Sequence, residues 1–366
     1  MDVAATLPDR SEFAAPTRIV AFRGCVRARL PDELAALMPT RVAVIADRGF
    51  AEAGLLEPLL AAAPDAPLAT CALIGEDPDL DEAESAATAA LELDAGAVLA
   101  VGGGSALCAA KAAAIRLSNP PPLTAYAGSG RLVRPPAPVI AVPTTAGSGS
   151  EVSNVVVLHE QGMARHLVIR GRGYEPPVAL LDGDLIATLP PRPMIAAALD
   201  ALTHALEALW VRTASSFTDA LALAAAATVT SVLPRVLDDD RDAAQELIEA
   251  SAIANLACGN TGLGLVHALS SAASVRLAHG RQNGVLLPHV AAFNRPMLRP
   301  GVARIVDGLA GLYDRIGFEA RFADGELGPG DADAMVGAAL ANPFRELNCR
   351  PADESDLRAL VRAAGA

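Results

Sequence analysis

A chain of 366 residues and 37.3 kDa exceeds one ordinary hydrophobic core and points to two domains. Hydrophobic residues at 52% exclude a disordered chain. Forty-two acidic against 29 basic residues, a formal net charge of −13, argue against a generic binder of nucleic acid or anionic membrane.

In chain order, strand-like and helix-like segments alternate through the first half. Arg41–Asp47 is a short β-branched run ending in an acid, followed by an Ala/Leu-rich helical stretch over 51–63. An acidic amphipathic helix is predicted over 81–93. A buried strand, Ala95–Val101, enters Gly102-Gly103-Gly104-Ser105, and a helix follows over 106–117. Pro138–Pro143 and Val178–Asp182 are further strands. This alternation predicts a parallel, doubly wound α/β sheet. After Leu189-Pro190-Pro191 the pattern becomes helical, with long helices predicted over 193–212, 216–232, 242–258 and 262–277. The Gly/Asp-rich segment 317–333 reads as loop, and 352–364 as a closing helix. The double proline sets the expected boundary, giving an α/β domain over 1–188 and an all-α domain over 189–366.

The five cysteines (Cys25, Cys71, Cys108, Cys258 and Cys349) are scattered and form no CxxC. A disulfide scaffold or thiolate zinc site is therefore not expected, and a reducing cytoplasm fits. The N-terminal stretch MDVAATLPDRSEF has no basic-then-apolar signal pattern, and the longest apolar stretch, 220–233, is short for a bilayer. A soluble cytoplasmic protein is expected. The chain holds a single lysine, Lys111, so the other 28 of its 29 basic residues are arginines.

The Gly102–Ser105 turn lies between strand and helix, where unobstructed backbone amides can approach a diphosphate at a helix N-terminus. A tight turn holding no ligand has the same sequence, and the GxGxxG fingerprint is absent. A second Gly/Ser/Thr-rich turn, Thr144 to Ser150, follows the next strand. Two such turns at strand ends suit nucleotide binding at the crevice of an open sheet. Asp47 can accept from a ribose diol and repel a 2′-phosphate; it can equally be a helix cap.

All six histidines lie between 159 and 289. Asp200 and His204 are four apart on an apolar helix and share a face. With His267 and His279 they make a mixed N/O set suited to Fe(II) or Zn. A buried histidine that is simply hydrogen-bonded remains the plain alternative. No GxSxG elbow and no P-loop occur. Arg165, His166, Arg170 and Arg172 form a basic cluster, read as a solvated hairpin rather than an anion site.

These motifs together resemble the iron-containing (group III) alcohol dehydrogenase family. The matching segments are Gly102–Lys111, Pro143–Val152, Leu180–Asp182, Asp200–Glu207, Gly262–His267, His279-Gly280 and Leu287–His289, in family order. The resemblance implies an NAD(P)-binding α/β domain, a helical metal-binding domain related to the dehydroquinate synthase-like fold, and a cleft between them. It implies metal ligation by Asp200, His204, His267 and His279. It places cofactor contacts at Asp47, Gly102, Gly103, Gly104, Ser105, Thr144, Thr145, Ser148, Ser153 and Leu181, with Asp47 favouring NAD. Three departures stand out. Cys108 replaces the usual Asp of GGGSxxDxAK, Ser271 replaces the second His of HxxxH, and Cys258 holds a pocket position that is often bulkier. Ser271, with His279, is then the candidate catalytic residue for proton relay.

The expected activity is NAD(H)-linked, metal-dependent interconversion of an alcohol with an aldehyde or keto acid, using Fe2+ with Zn2+ as the alternative metal. The expected state is a homodimer without nucleic-acid or membrane partners. A maleylacetate reductase-like enzyme and a catalytically impaired binding homologue are the competing readings. A 3-dehydroquinate synthase-type lyase would need several lysines, and this chain has one.

Overall fold

The computed structural model describes residues 12–76, 78–159 and 166–365. Among these, the strands are β1 (Arg18–Ala21), β2 (Val42–Asp47), β3 (Leu68–Ile74), β4 (Ala97–Gly102), β5 (Gly128–Ser129), β6 (Val139–Pro143), β7 (Val155–Leu158), β8 (Leu167–Arg170) and β9 (Val178–Leu181). Six of them form a sheet in the order β1-β9-β6-β4-β2-β3, with every neighbouring pair parallel. The register runs Ala46↔Val101 between β2 and β4 and Gly102↔Pro143 between β4 and β6.

The central strands are continuous apolar runs because both faces are covered. Val44, Ala46, Leu99, Val101 and Val142 pack on one face with Cys25, Leu30 and Leu34 of the helix Cys25–Leu37. Ile45, Val98, Ala100 and Ala141 pack on the other with the helices Leu80–Glu92 and Gly104–Ser118. Asp182, just past β9, is buried and holds the start of the Cys25 helix. Its carboxylate accepts from Gly24 N at 2.9 Å and Val26 N at 3.2 Å.

Two strands of the main sheet were not expected. β1 is a four-residue edge strand, too short to show a period, and β3 (LATCALI) is Ala-rich with weak β propensity. The predicted helix over 51–63 is two short helices, Arg48–Glu52 and Leu56–Leu60, separated at Gly54, whose φ of +73° ends the first. A small sheet, β5-β8-β7, carries His166 and Arg170 near its antiparallel pair β7/β8; Arg165 lies outside the described residues.

After β9 the named elements are all helices. Pro191 begins the helix Pro191–Trp210, a position where a missing N–H costs nothing. The helix predicted over 262–277 is only Leu265–Leu269. Gly262 at φ +76° breaks the chain before it, and after it Ser271 Oγ donates to Ala268 O at 2.8 Å, a local bond that competes with helix continuation. The helix Ser216–Leu237 is long and apolar enough, by length and composition, to cross a membrane. Here Ala222, Ala225, Val229 and Leu233 are buried.

The chain divides into two compact units. One comprises Pro16–Pro190 with Asp239–Ala252; the other holds Pro191–Asp238 and the residues from Ile253 onward.

Candidate metal centre and nucleotide turn

In the sheet unit, β2, β4, β6 and β9 all point their C-terminal ends the same way, at Asp47, Gly102, Pro143 and Leu181. The chain passes from β2 outward to β3 and then returns to the other side of β2 with β4. Strand order therefore reverses between β2 and β4, and ligands of open α/β sheets bind outside the strand ends at such a point.

The glycine turn is built by close approach. A Cβ on Gly102, whose φ is +147°, would lie 2.7 Å from Asp47 Cβ, and one on Gly104 would lie 2.7 Å from Ser148 Cβ. Gly103 faces Thr145, and Thr144 N donates to Gly102 O at 3.0 Å. Asp47, Gly102, Gly103, Gly104, Thr144, Thr145 and Ser148 thus meet at one place, with Ser105 in the first turn of the Gly104–Ser118 helix. Asp47 is also a helix cap, its Oδ1 accepting from Phe50 N at 2.8 Å. Ser153 is drawn into local structure: its Oγ accepts from Val155 N, and its carbonyl accepts from Lys111 Nζ at 2.7 Å. Leu181 is buried, and its carbonyl accepts from Gln245. Cys108 Sγ lies 3.4 Å from Ser150 Oγ.

In the helical unit, Asp200, His204 and Glu207 lie on successive turns of the helix Pro191–Trp210 and are all buried. Glu207 is fully buried and satisfied by the short helix that carries His267. It accepts from Gly264 N at 2.9 Å, from Val266 N at 2.7 Å and from His267 Nδ1 at 2.7 Å. With Nδ1 donating to a carboxylate, His267 presents the lone pair of Nε2. That atom is 3.1 Å from His204 Nε2 and 3.8 Å from Asp200 Oδ1. His279, half exposed, brings its Nε2 to 4.0 Å from Asp200 Oδ1.

One ligand atom from each of Asp200, His204 and His267 falls within 4.8 Å of the others, a group able to hold a metal ion. Burial pushes the Asp200 carboxyl up, but the imidazoles of His204, His279 and His267 and the Asn283 amide outweigh it, holding it below the usual carboxylate range. Burial pushes His204 down to about 4, so at neutral pH it is the unprotonated, ligating form. His204 Nδ1 and Asn283 Oδ1 are buried without hydrogen-bond partners. One carboxylate with convergent neutral imidazoles fits Fe(II) or Zn.

Sequence reasoning assigned no role to Glu207, although it shares the face of Asp200 and His204 and its signal was the i, i+3 step from His204. Asn283, four residues after His279, was missed as well. Cys258 is buried, and burial together with the Asp200 and Glu207 carboxylates pushes its thiol up, so it is inert. His289 donates to Ala320 O at 2.8 Å, and His159 packs edge-on against His166; neither joins the cluster.

Two family models match the chain: iron-containing alcohol dehydrogenase over residues 16–183, and the C-terminal region of the Fe-containing alcohol dehydrogenase family over 194–305. The chain belongs to the iron-containing alcohol dehydrogenase family. Enzymes of this family are oxidoreductases acting on CH–OH groups, and the family uses NAD(H) and iron. Among relatives of this dehydrogenase chain is EutG, a probable alcohol dehydrogenase of Salmonella typhimurium. It is 35% identical over 286 residues, 73% of this chain and 72% of its own. The NAD-dependent methanol dehydrogenase of Bacillus methanolicus is 35% identical over 202 residues, 54% of this chain and 53% of its own. Among solved structures, sulfoacetaldehyde reductase from Bifidobacterium kashiwanohense, in complex with NAD+, superposes with a TM-score of 0.88. It is 26% identical, over 98% of this chain and 99% of that one.

Proposed function

We propose that this iron-containing alcohol dehydrogenase homologue is an NAD(H)-linked, iron-dependent dehydrogenase of a small alcohol, working also as a reductase of the corresponding aldehyde or keto acid. The convergence of Asp200, His204 and His267 on one point carries this reading. His279 completes the ligand set. Iron held there would supply Lewis acidity to a substrate oxygen. The nicotinamide of NAD(H) would supply or take the hydride.

The chain's own residues have distinct tasks. Glu207 fixes the ring and tautomer of His267. The Gly102–Ser105 turn offers backbone amides to a diphosphate. Asp47, fixed at the end of β2, offers a carboxylate to the ribose and disfavours a 2′-phosphate. Ser271 is the proposed proton-relay group. Its hydroxyl proton is directed at Ala268 O, which cannot take it on, so relay requires the hydroxyl to turn away and donate to water or a ribose hydroxyl as it accepts a proton from the other side. A cytoplasmic homodimer is part of this proposal. The intact Asp/His set speaks against a metal-free, maleylacetate reductase-like enzyme; Cys108 and Ser271 are the sole support for an impaired homologue, and neither replaces a proposed metal ligand.

Metal content of the purified protein tests the reading. His267→Ala should lower bound iron at least about tenfold, since three ligands hold an ion poorly. Unchanged metal in that variant would remove His267 from the site.

A further inference from the structure

The helix His279–Asn294 opens on a proposed ligand, yet little holds its first turn from the N-terminal side. Ala278, the N-cap, makes no side-chain cap bond, and among the described residues no named element lies between Leu269 and His279. An uncapped first turn leaves backbone N–H groups unpaired and frays readily. The His279 side chain is 48% exposed, against 8% for Asp200 and 6% for His267. The backbone position of that turn, more than packing, therefore sets where its imidazole lies.

Arg281 follows two residues later, about 200° round the helix from His279. Four of its five N–H groups are engaged there. Nε and Nη2 donate to the two oxygens of Glu326 at 3.1 and 3.0 Å, Nη1 donates to Glu319 O at 3.1 Å, and Nη2 also donates to Arg321 O at 2.8 Å. The guanidinium carbon is 4.7 Å from the centre of the Phe318 ring. The segment it grips is itself fixed to later turns of the same helix. Tyr313, edge-on to Phe318, donates its hydroxyl to Gly284 O at 2.6 Å, and His289 donates to Ala320 O at 2.8 Å. Arg281 thus ties the uncapped first turn, through residues 318–326, to the body of its own helix.

We propose that Arg281 is a positioning residue of the metal centre. Its clamp on residues 318–326 fixes the first turn and so the direction of His279 Nε2 toward Asp200. Arg281 acts only through His279, on the opposite side of the helix from the centre. The proposal rests on the metal reading above.

Co2+ is the probe. Full-length wild type, Arg281→Met, Glu326→Ala, His289→Leu, His279→Ala and the double variant of Arg281→Met with His279→Ala are stripped with chelator and titrated with Co2+. The Tm of each metal-free protein is measured alongside. Arg281→Met should weaken Co2+ binding about tenfold, and Glu326→Ala, which opens the same clamp from the other side, should do the same. His289→Leu loosens the same segment nearly three turns from His279, so it should lower Tm and keep Co2+ affinity within about twofold of wild type. Added to His279→Ala, Arg281→Met should cost less than about a further twofold, because the residue it acts through is gone. Wild-type affinity in Arg281→Met overturns the proposal, and Glu326→Ala decides if that variant does not fold. A full tenfold loss on top of His279→Ala also overturns it. So does a loss in His289→Leu as large as that in Arg281→Met, the comparison that decides if His279→Ala binds no Co2+ at all. Weakened binding in His279→Ala with none in Arg281→Met removes Arg281 and leaves the centre standing. Undiminished binding in His279→Ala removes His279 from the centre, and the role of Arg281 with it.

Discussion

Lys111 is buried at the point where the Gly104–Ser118 helix passes the segment after the second turn. Its ammonium donates to three backbone carbonyls, Ser150 O at 3.2 Å, Ser153 O at 2.7 Å and Val155 O at 2.7 Å. A compact tetrahedral head can aim three protons from one atom; the flat fork of a guanidinium cannot. This explains a lone lysine in a chain otherwise served by arginine. Burial lowers its pKa to about 8, so at pH 7 it still carries its proton. Lys111→Arg should leave at least one buried carbonyl unpaired and destabilise the protein by at least about 2 kcal/mol. Calorimetry would show this as a lower Tm, and a Tm equal to that of wild type would contradict it. The sequence marked Lys111 as unusual but gave no sign of its acceptors, which lie 39 to 44 residues away and are backbone atoms.

At the scale of elements, the centre depends on how closely two helices approach. A Cβ on Gly280 would collide with the carbonyl oxygen of Ala196, on the helix that carries Asp200 and His204. Gly280→Ala must therefore push the His279–Asn294 helix outward, taking His279 and Asn283 with it. Overpacking of this kind costs about 1–3 kcal/mol, and metal affinity should fall with it. A variant with native metal content and stability would show that the two helices have room to spare. Long periodic elements were legible in advance: β2, β4, β6, β9 and the helices Pro191–Trp210 and Arg241–Thr261 lie close to where alternation and helical spacing put them. Short ones were not. The helix Leu265–Leu269 is set by Glu207, which receives the N–H groups of Gly264 and Val266 from 57 and 59 residues away. No local pattern encodes that. Of the centre, Asp200 and His204 were legible as a shared face. His267 and His279 were legible mainly through family resemblance, and the roles of Glu207 and Asn283 only through tertiary contact.

For the whole molecule, the pH dependence of stability combines opposed contributions. Burial raises the Glu151 carboxyl to about 7 from its ordinary 4.5. Between those values the folded state holds a proton that the unfolded chain gives up. The contribution is therefore full below about 4.5 and is lost as pH rises through about 7. His204 is lowered to about 4 from 6.5, so its contribution is full above about 6.5 and is lost as pH falls towards about 4. The two partly cancel in the wild type, and the difference between wild type and Glu151→Gln isolates the first. The variant should gain on wild type as pH rises from 4.5 to 7, by up to about 3 kcal/mol, and the gain should level off above pH 7. A gap between the two denaturation midpoints that does not change with pH would show that Glu151 titrates normally.

The most direct test of a metal-dependent, NAD-linked reductase is cofactor consumption over a panel of small aldehydes and keto acids, followed at 340 nm with NADH and with NADPH. Iron-loaded protein should oxidise NADH in step with alcohol formed, should prefer NADH to NADPH because of Asp47, should lose the activity to a chelator and should regain it with Fe2+. Turnover that survives complete removal of metal, or no net NADH consumption with any carbonyl while Asp200, His204 and His267 hold iron, would contradict that function.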